Sequence, residues 1–209
     1  TKADDSAIEI DRELVVSMED TGIKIQPTMY GIFFEDINFA ADGGLYAEMI
    51  KNRSFEFTLP KTGWVEPNSD RHSYNNESGF LSVIKYSDEG TNHNFARVSV
   101  KNDEGYVLIN EGFRGMGVNE GAQYDFSVDA AKRSGDIQKI KLQVIDSLDN
   151  VLGETVVSPD SDSWKTYEST FKVSKTEMKA RVKITFEGEG EIDLDMISLF
   201  PQDTWKGRK

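Results

Sequence analysis

Along most of this chain, apolar and polar residues alternate in short runs, the two-residue period of strands that turn one face to a core and the other to water. Ala96, Val98 and Val100 alternate in this way, and Tyr124, Phe126, Val128 and Ala130 repeat the pattern up to the polar run Lys132 to Asp136. Ile140, Leu142 and Val144 lead to Asp146-Ser147-Leu148-Asp149-Asn150, whose Asp and Asn residues suit a hairpin connection, and Val151 restarts the alternation. Tyr167, Ser169, Phe171 and Val173 share one face, as do Val182, Ile184 and Phe186 before the turn Glu187-Gly188-Glu189-Gly190. After Ile192, Leu194 and Met196 the parity switches at Ile197 and Leu199, which predicts a bulge near Met196, because one extra residue moves later side chains to the other face. Roughly eight or nine strands between Asn52 and Pro201 predict an antiparallel jelly-roll β-sandwich.

Before residue 52 the pattern is different. Ala7 to Ile10 and Gly22 to Ile25 predict two short strands, linked through Glu19-Asp20-Thr21 and followed by the Pro27 break. Ile32, Phe33 and Phe34 form a continuous apolar run, as in a strand covered on both faces, and Glu35 and Asp36 follow at once. Gly43-Gly44 interrupts the chain, and Leu45, Met49 and Ile50 recur at helical spacing through LYAEMIKN. Strand, loop and helix in that order are the opening unit of a β/α barrel, whose functional groups lie at strand C-terminal ends. Glu35 is therefore a candidate ligand-binding carboxylate, its alternative being a solvated strand end or salt-bridge partner. The chain divides into residues 1–51, a sandwich over 52–201, and a return segment over 202–209.

Composition narrows the chemistry. With 209 residues the chain can bury a substantial core, and its formal net charge of −13 repels phosphate backbones and anionic lipid surfaces. Nucleic acid is excluded as an expected partner, whereas a neutral sugar is indifferent to that field and a metal cation is attracted by it. The absence of cysteine removes disulfides and thiolate metal sites. No apolar stretch approaches the roughly 20 residues that span a bilayer, so membrane insertion is not expected. The first residues, Thr-Lys-Ala-Asp-Asp, show no charged n-region or apolar h-region, which reads as a removed leader or a cut chain.

Tyr30, Gly31, Phe34, Glu35, Gly43, Gly44, Tyr46, Asn52, Arg53, Ser54, Phe55 and Glu56 together resemble the start of the catalytic barrel of α-L-arabinofuranosidases of glycoside hydrolase family fifty-one. The resemblance implies that Glu35 hydrogen-bonds arabinofuranosyl hydroxyls where the bond is cut, without being the acid or the nucleophile. Asn52, Phe55, Glu56, Gly63 and Trp64, then Glu111 to Val118 through Tyr124, then Trp164, Tyr167 and IDLDMISLF resemble, in order, carbohydrate-binding modules with a galactose-binding-like jelly roll. Such a module inserted after the first barrel strand and helix is known in this family, and LFPQDTWKGRK looks like the return into the barrel. The short N-terminal strands would then add to a distant C-terminal sandwich. Retaining hydrolysis needs two carboxyl groups about 5 to 5.5 Å apart. The resemblance places both on later barrel strands, so no hydrolase activity is expected from this polypeptide alone. Glu77, Glu111 and Glu120 follow asparagines, as the family's acid/base does, but lie beside turn residues and read as surface carboxylates. Secretion or periplasmic export is what the resemblance implies for localisation.

Sugar binding by a sandwich needs an aromatic ring for an apolar sugar face and polar groups for the hydroxyls. The candidates outside the core alternation are Tyr74, Phe80, Tyr86 and Phe113, with Arg71, His72, Asn75, Asn76, Asn92, Asn94 and Arg114 as polar companions; residues 65–94 are the richest zone. Trp64, Trp164 and Tyr167 read as core. In the resembling modules an acid near the opening strand meets an aspartate of the last strand around a structural calcium ion, positions occupied here by Glu56 and Asp195. Gly115, Gly117 and Gly121 have the wrong spacing for a dinucleotide loop, His72 and His93 are too few for a zinc site, and Asp160-Ser161-Asp162 reads as a solvated turn. The expected function is that of the N-terminal portion of an arabinofuranosidase. Its module would hold arabinose-bearing polysaccharide such as arabinoxylan or arabinan for a catalytic barrel in the same polypeptide. The rival readings are a sandwich that only supports that barrel and a free-standing lectin.

Overall fold

In the computed structural model, which describes residues 14–15, 22, 24, 26–31, 41, 44–67, 77–86 and 90–207, the alternating runs form eleven strands. These are β1 (Trp64–Val65), β2 (Gly79–Lys85), β3 (Asn94–Val100), β4 (Tyr106–Asn110), β5 (Met116–Val118), β6 (Gln123–Gly135), β7 (Lys139–Ile145), β8 (Val151–Val157), β9 (Lys165–Lys172), β10 (Glu177–Glu187) and β11 (Gly190–Pro201). One sheet has the order β1-β4-β10-β7-β8, with β5 on a further stretch of β10; the other has the order β2-β3-β11-β6-β9. Every described pairing is antiparallel. The inward residues of both sheets, among them Val98, Phe126, Val128 and Leu194 from one and Leu108, Leu142, Ile184 and Phe186 from the other, join in one apolar cluster. This is the jelly-roll sandwich that the alternation predicts, with more strands than it counts.

Local chemistry sets the turns. The Asp146 carboxylate accepts the N–H groups of Leu148 and Asn150, both at 2.9 Å, and closes the β7–β8 hairpin. On β11 the register with β6 shifts between Asp195 and Ser198, and Met196 adopts φ +47°. That is the bulge expected from the parity switch, and it lets Ile192 and Leu194 on one side of it, and Ile197 and Leu199 on the other, all reach the core.

The chain clusters into two compact units, 1–35 and 36–209. In the first, Pro27–Met29 form a short 3₁₀ turn. Residues 7–10, 32–34, Glu35 and Asp36 lie outside the described residues, as do Ile23 and Ile25 of the second expected strand. In the second unit the helix expected through LYAEMIKN does not form: from Leu45 to Asn52 the chain makes turns, a bridge and a bend. The backbone donors of Met49, Ile50 and Lys51 are taken by two distant partners and by a side chain of the segment itself instead of by the preceding helical turn. Met49 N–H donates to the Leu199 carbonyl at 3.1 Å, Ile50 N–H to Glu48 Oε1 at 2.9 Å, and Lys51 N–H to Asn110 Oδ1 at 3.1 Å. The apolar spacing was real, but Ile50 enters the sandwich core while Leu45 stays exposed, so no single helical face exists to bury.

This segment is clamped to the last strand. The buried Glu48 carboxylate also accepts Leu199 N–H at 2.9 Å, Arg53 Nη1 donates to Ser198 Oγ at 2.9 Å, and the Tyr46 and Phe200 rings meet edge-on at 5.1 Å.

Candidate functional site

The outward residues of the five-stranded sheet form the candidate site. Because Ala96, Val98 and Val100 point inward on β3, Phe95, Arg97 and Ser99 point outward; because Ile192 and Leu194 point inward on β11, Glu191, Asp193 and Asp195 point outward. Asp193 pairs in register with Arg97 on one neighbouring strand and with Ala131 on the other. Ser134 pairs with Glu191 and Lys132 with Ile192, so Arg133 is the extra residue of a bulge on β6.

Three aromatic rings lie across this face. Tyr86, at the end of β2, is 5.8 Å from Phe95 with the ring planes at 50°, and Phe95 meets Trp164 at 5.6 Å with the planes at 78°. Tyr86 is 61% exposed and Trp164 46% exposed, so the strip is open to a ligand. Trp164 is thus not a core residue as the sequence suggested. It precedes β9, whose inward set starts at Tyr167, and its ring lies over the Arg133 guanidinium at 5.8 Å. Trp64 and Tyr167 are buried as expected. Beneath the strip, Asp193 joins Arg97 and Arg133 in ion pairs.

Beside the strip lies an acidic cluster. Asp195 and Asp129 are direct cross-strand partners, an arrangement in which like charges repel. Burial, with the negative charges of Asp129 and Glu56, raises the Asp195 pKa above the ordinary aspartate value despite hydrogen bonds from Asn92 and Met196. Asn92 Nδ2 donates to Asp195 Oδ2 at 2.8 Å, while Glu56 Oε1 accepts the N–H groups of His93 and Asn94, both at 2.6 Å, and Glu56 Oε2 accepts Asn94 Nδ2 at 3.0 Å. The loop before β3 therefore wraps the Glu56 carboxylate next to Asp195. Asn92 Oδ1 is buried with no hydrogen-bond donor. Carboxylate and amide oxygens of this kind are hard donors that suit calcium, although among the described residues no three His, Cys, Asp or Glu side chains form a metal-binding group.

The other expected site residues are dispersed. Phe80 points outward on β2, opposite Ser99, with Lys101 Nζ 5.3 Å from its ring. Phe113 and Arg114 lie between β4 and β5 of the other sheet; Phe113 lines a cavity of about 180 Å³ with Glu48, Met49 and Met116, and Arg114 lines a groove with Lys51, Lys179 and Arg181. Tyr74, with Arg71, His72, Asn75 and Asn76, lies outside the described residues, as does Glu35. Sequence reasoning passed over Phe95, Arg97, Asp129, Arg133 and Asp193. The parity of β3 and β11 could have placed Phe95, Arg97 and Asp193 on one face, but the bulge that sets Arg133 leaves no local signal.

No family model matches this chain. It is 32% identical over 207 residues to an extracellular exo-α-L-arabinofuranosidase of Streptomyces chartreusis, covering 95% of this chain and 23% of that protein. The chain spans about a quarter of the length of the curated relatives it matches, at 23% and 28%. Among solved structures, an arabinose-bound family 51 α-L-arabinofuranosidase aligns with a TM-score of 0.70 at 24% identity over 86% of this chain and 30% of that one. The family 22 carbohydrate-binding module with family 10 catalytic module of a Clostridium thermocellum xylanase, solved with xylohexaose, aligns with a TM-score of 0.50 at 15% identity over 77% of this chain and 30% of that one. These two likenesses speak for the sandwich fold.

Proposed function

We propose that this chain, which is homologous along nearly its whole length to part of the α-L-arabinofuranosidases, is a polysaccharide-binding portion of such an enzyme and holds arabinose-bearing chains such as arabinoxylan or arabinan. The observation that carries the reading is the exposed strip Tyr86–Phe95–Trp164 on the outer sheet face, with carboxylates and guanidinia beside it. Aromatic faces shed water readily and stack on the C–H face of a sugar ring, while Asp129 and Arg97 are placed for hydroxyls. The rings are mutually tilted, which suits a single twisted chain in solution better than a flat crystalline surface.

Homology also supports a catalytic barrel as the partner, with Glu35 in its sugar subsite, and secretion, since the Streptomyces relative is described as extracellular. Glu56, Asp195 and the Asn92 amide oxygen are assigned to a structural calcium ion. The ion would relieve the repulsion around Asp195 and tie the segment before β1 to β11.

Affinity electrophoresis on gels of arabinoxylan, arabinan and cellulose tests the main reading. Retardation by the arabinose-bearing gels, reduced at least about tenfold in affinity in Trp164→Ala with little change in melting temperature, is expected for a half-exposed anchor. Failure of the native chain to bind any of them leaves a supporting sandwich.

A further inference from the structure

Asp193 is 0% exposed, although it lies on the outward side of β11, directly under the aromatic strip. Its Oδ1 accepts Arg97 Nε at 2.6 Å, and its Oδ2 accepts Arg97 Nη2 at 2.9 Å together with Arg133 Nε. Each arginine carries one ring of the strip: Arg97 Cζ is 5.9 Å from the Phe95 centroid and Arg133 Cζ 5.8 Å from that of Trp164. The two rings touch each other at 5.6 Å, so five side chains close a circuit through Asp193, Arg97, Phe95, Trp164 and Arg133. Arg133 Nη1 also donates to the Asp162 carbonyl at 3.2 Å, fixing the approach of the chain to Trp164.

The Asp193 carboxylate is buried while both guanidinium groups are partly exposed; an ion network with a buried member contributes little net stability once desolvation is counted, and its attested value lies in selecting one arrangement among several. Here the arrangement selected is that of the rings. Without a shared carboxylate, two guanidinium groups converging on the same point repel, and each would swing away with the aromatic ring stacked on it.

We propose that Asp193 is a positioning residue: acting through Arg97 and Arg133, it sets the tilt and separation of Phe95 and Trp164 before ligand arrives and so raises affinity by preorganisation. This rests on the reading of the strip as a saccharide site. Asp193 itself is covered and makes no contact with the ligand.

The test uses soluble arabinoxylan in titration calorimetry with the native chain, Asp193→Asn, Trp164→Ala and the double variant, alongside fluorine spectra of 5-fluorotryptophan-labelled protein. Asp193→Asn is expected to weaken binding about tenfold, and the double variant to lose less affinity than the two single losses combined, because part of the carboxylate's effect passes through the Trp164 ring. The Trp164 fluorine resonance should shift and narrow in Asp193→Asn without ligand. Native-like affinity, strictly additive losses, or an unchanged resonance in a folded Asp193→Asn protein would overturn the inference. Should that variant not fold, Arg133→Gln breaks one arm of the circuit and must move the same resonance. Absence of binding by the native chain sinks the saccharide reading and the affinity claim with it, whereas the fluorine spectrum decides the positioning claim on its own.

Discussion

Replacing Glu48 should separate the role of a buried acceptor from that of a buried charge. Glu48 is 2% exposed, and its Oε1 accepts the N–H groups of Ile50 and Leu199, two residues that are themselves buried. Its Oε2 is buried without a hydrogen-bond donor and lies 3.7 Å from Arg53 Nη1. Glu48→Ala leaves two backbone donors stranded, at about 1–3 kcal/mol each, so a loss of about 2–6 kcal/mol is expected. For a unit of this size that is roughly 5–20 °C in melting temperature. Glu48→Gln keeps the carbonyl acceptor and the volume, and should cost less than about 1 kcal/mol. Burial raises the Glu48 pKa above the ordinary 4.5, against the opposing hydrogen bonds and the Arg53 charge. A carboxyl whose folded pKa is raised contributes stability that is complete below its unfolded pKa and lost as pH rises through the folded value. Native protein should therefore lose stability relative to Glu48→Gln as pH climbs from below 4.5 towards neutrality. Urea titrations at pH 4 and pH 7 measure both effects. If Gln is as damaging as Ala at pH 7, the charge is what the clamp needs, and the acceptor argument is wrong.

Two further outcomes follow from local geometry. Excess chelator should lower the melting temperature of calcium-loaded protein, and Glu56→Gln with Asp195→Asn should abolish that shift; an unchanged melting curve on chelation removes calcium from the proposal. Gly188 has φ +100°, and a Cβ there would lie 2.0 Å from the Asp136 carbonyl oxygen, so Gly188→Ala should cost at least about 2 kcal/mol. Gly117→Ala, with nothing within 4 Å, serves as the control and should stay within about 0.5 kcal/mol of native in thermal melts.

The sandwich was legible because its strands obey a simple rule: one wet face and one dry face give strict alternation, visible in Tyr124 to Ala130 and in Val182 to Phe186. The helix through LYAEMIKN was misread because spacing reports which residues are apolar and not what competes for their backbone. Asn110, Leu199 and the Glu48 side chain take those donors, and Asn110 and Leu199 are far away in sequence. Trp164 was misread for a related reason. Tryptophan at the start of a strand fits a core equally well, and only the position of Arg133 and Phe95 beneath and beside it decides that the ring stays outside. The acidic pair was the reverse case: Glu56 and Asp195 were named from resemblance, while Asp129, which faces Asp195 across the sheet, needed the register.

The bulge at Met196 makes one strand serve two ends of the molecule, and this can be tested by removing it. Before the bulge β11 sends Asp193 and Asp195 to the aromatic face and Ile192 and Leu194 to the core; after it, Ile197 and Leu199 are in the core and Ser198 takes the hydrogen bond from Arg53. Asp195 faces Asp129 and Ser198 faces Ser127, so Met196 and Ile197 together stand opposite Val128. Deleting Met196 leaves Ile197 alone opposite Val128, and unbroken alternation then keeps Leu194, Ile197 and Leu199 inside and Ser198 outside. A strand that kept Met196 without the bulge would instead turn Ile197 and Leu199, now 1% and 0% exposed, out to water at about 1.5–3 kcal/mol each. The deletion variant should therefore keep a cooperative urea transition and still present Trp164 to polysaccharide. A variant that loses the cooperative transition would mean that Ile197 and Leu199 do not return to the core once the extra residue is gone, and that the parity argument fails at the strand on which it rests most heavily.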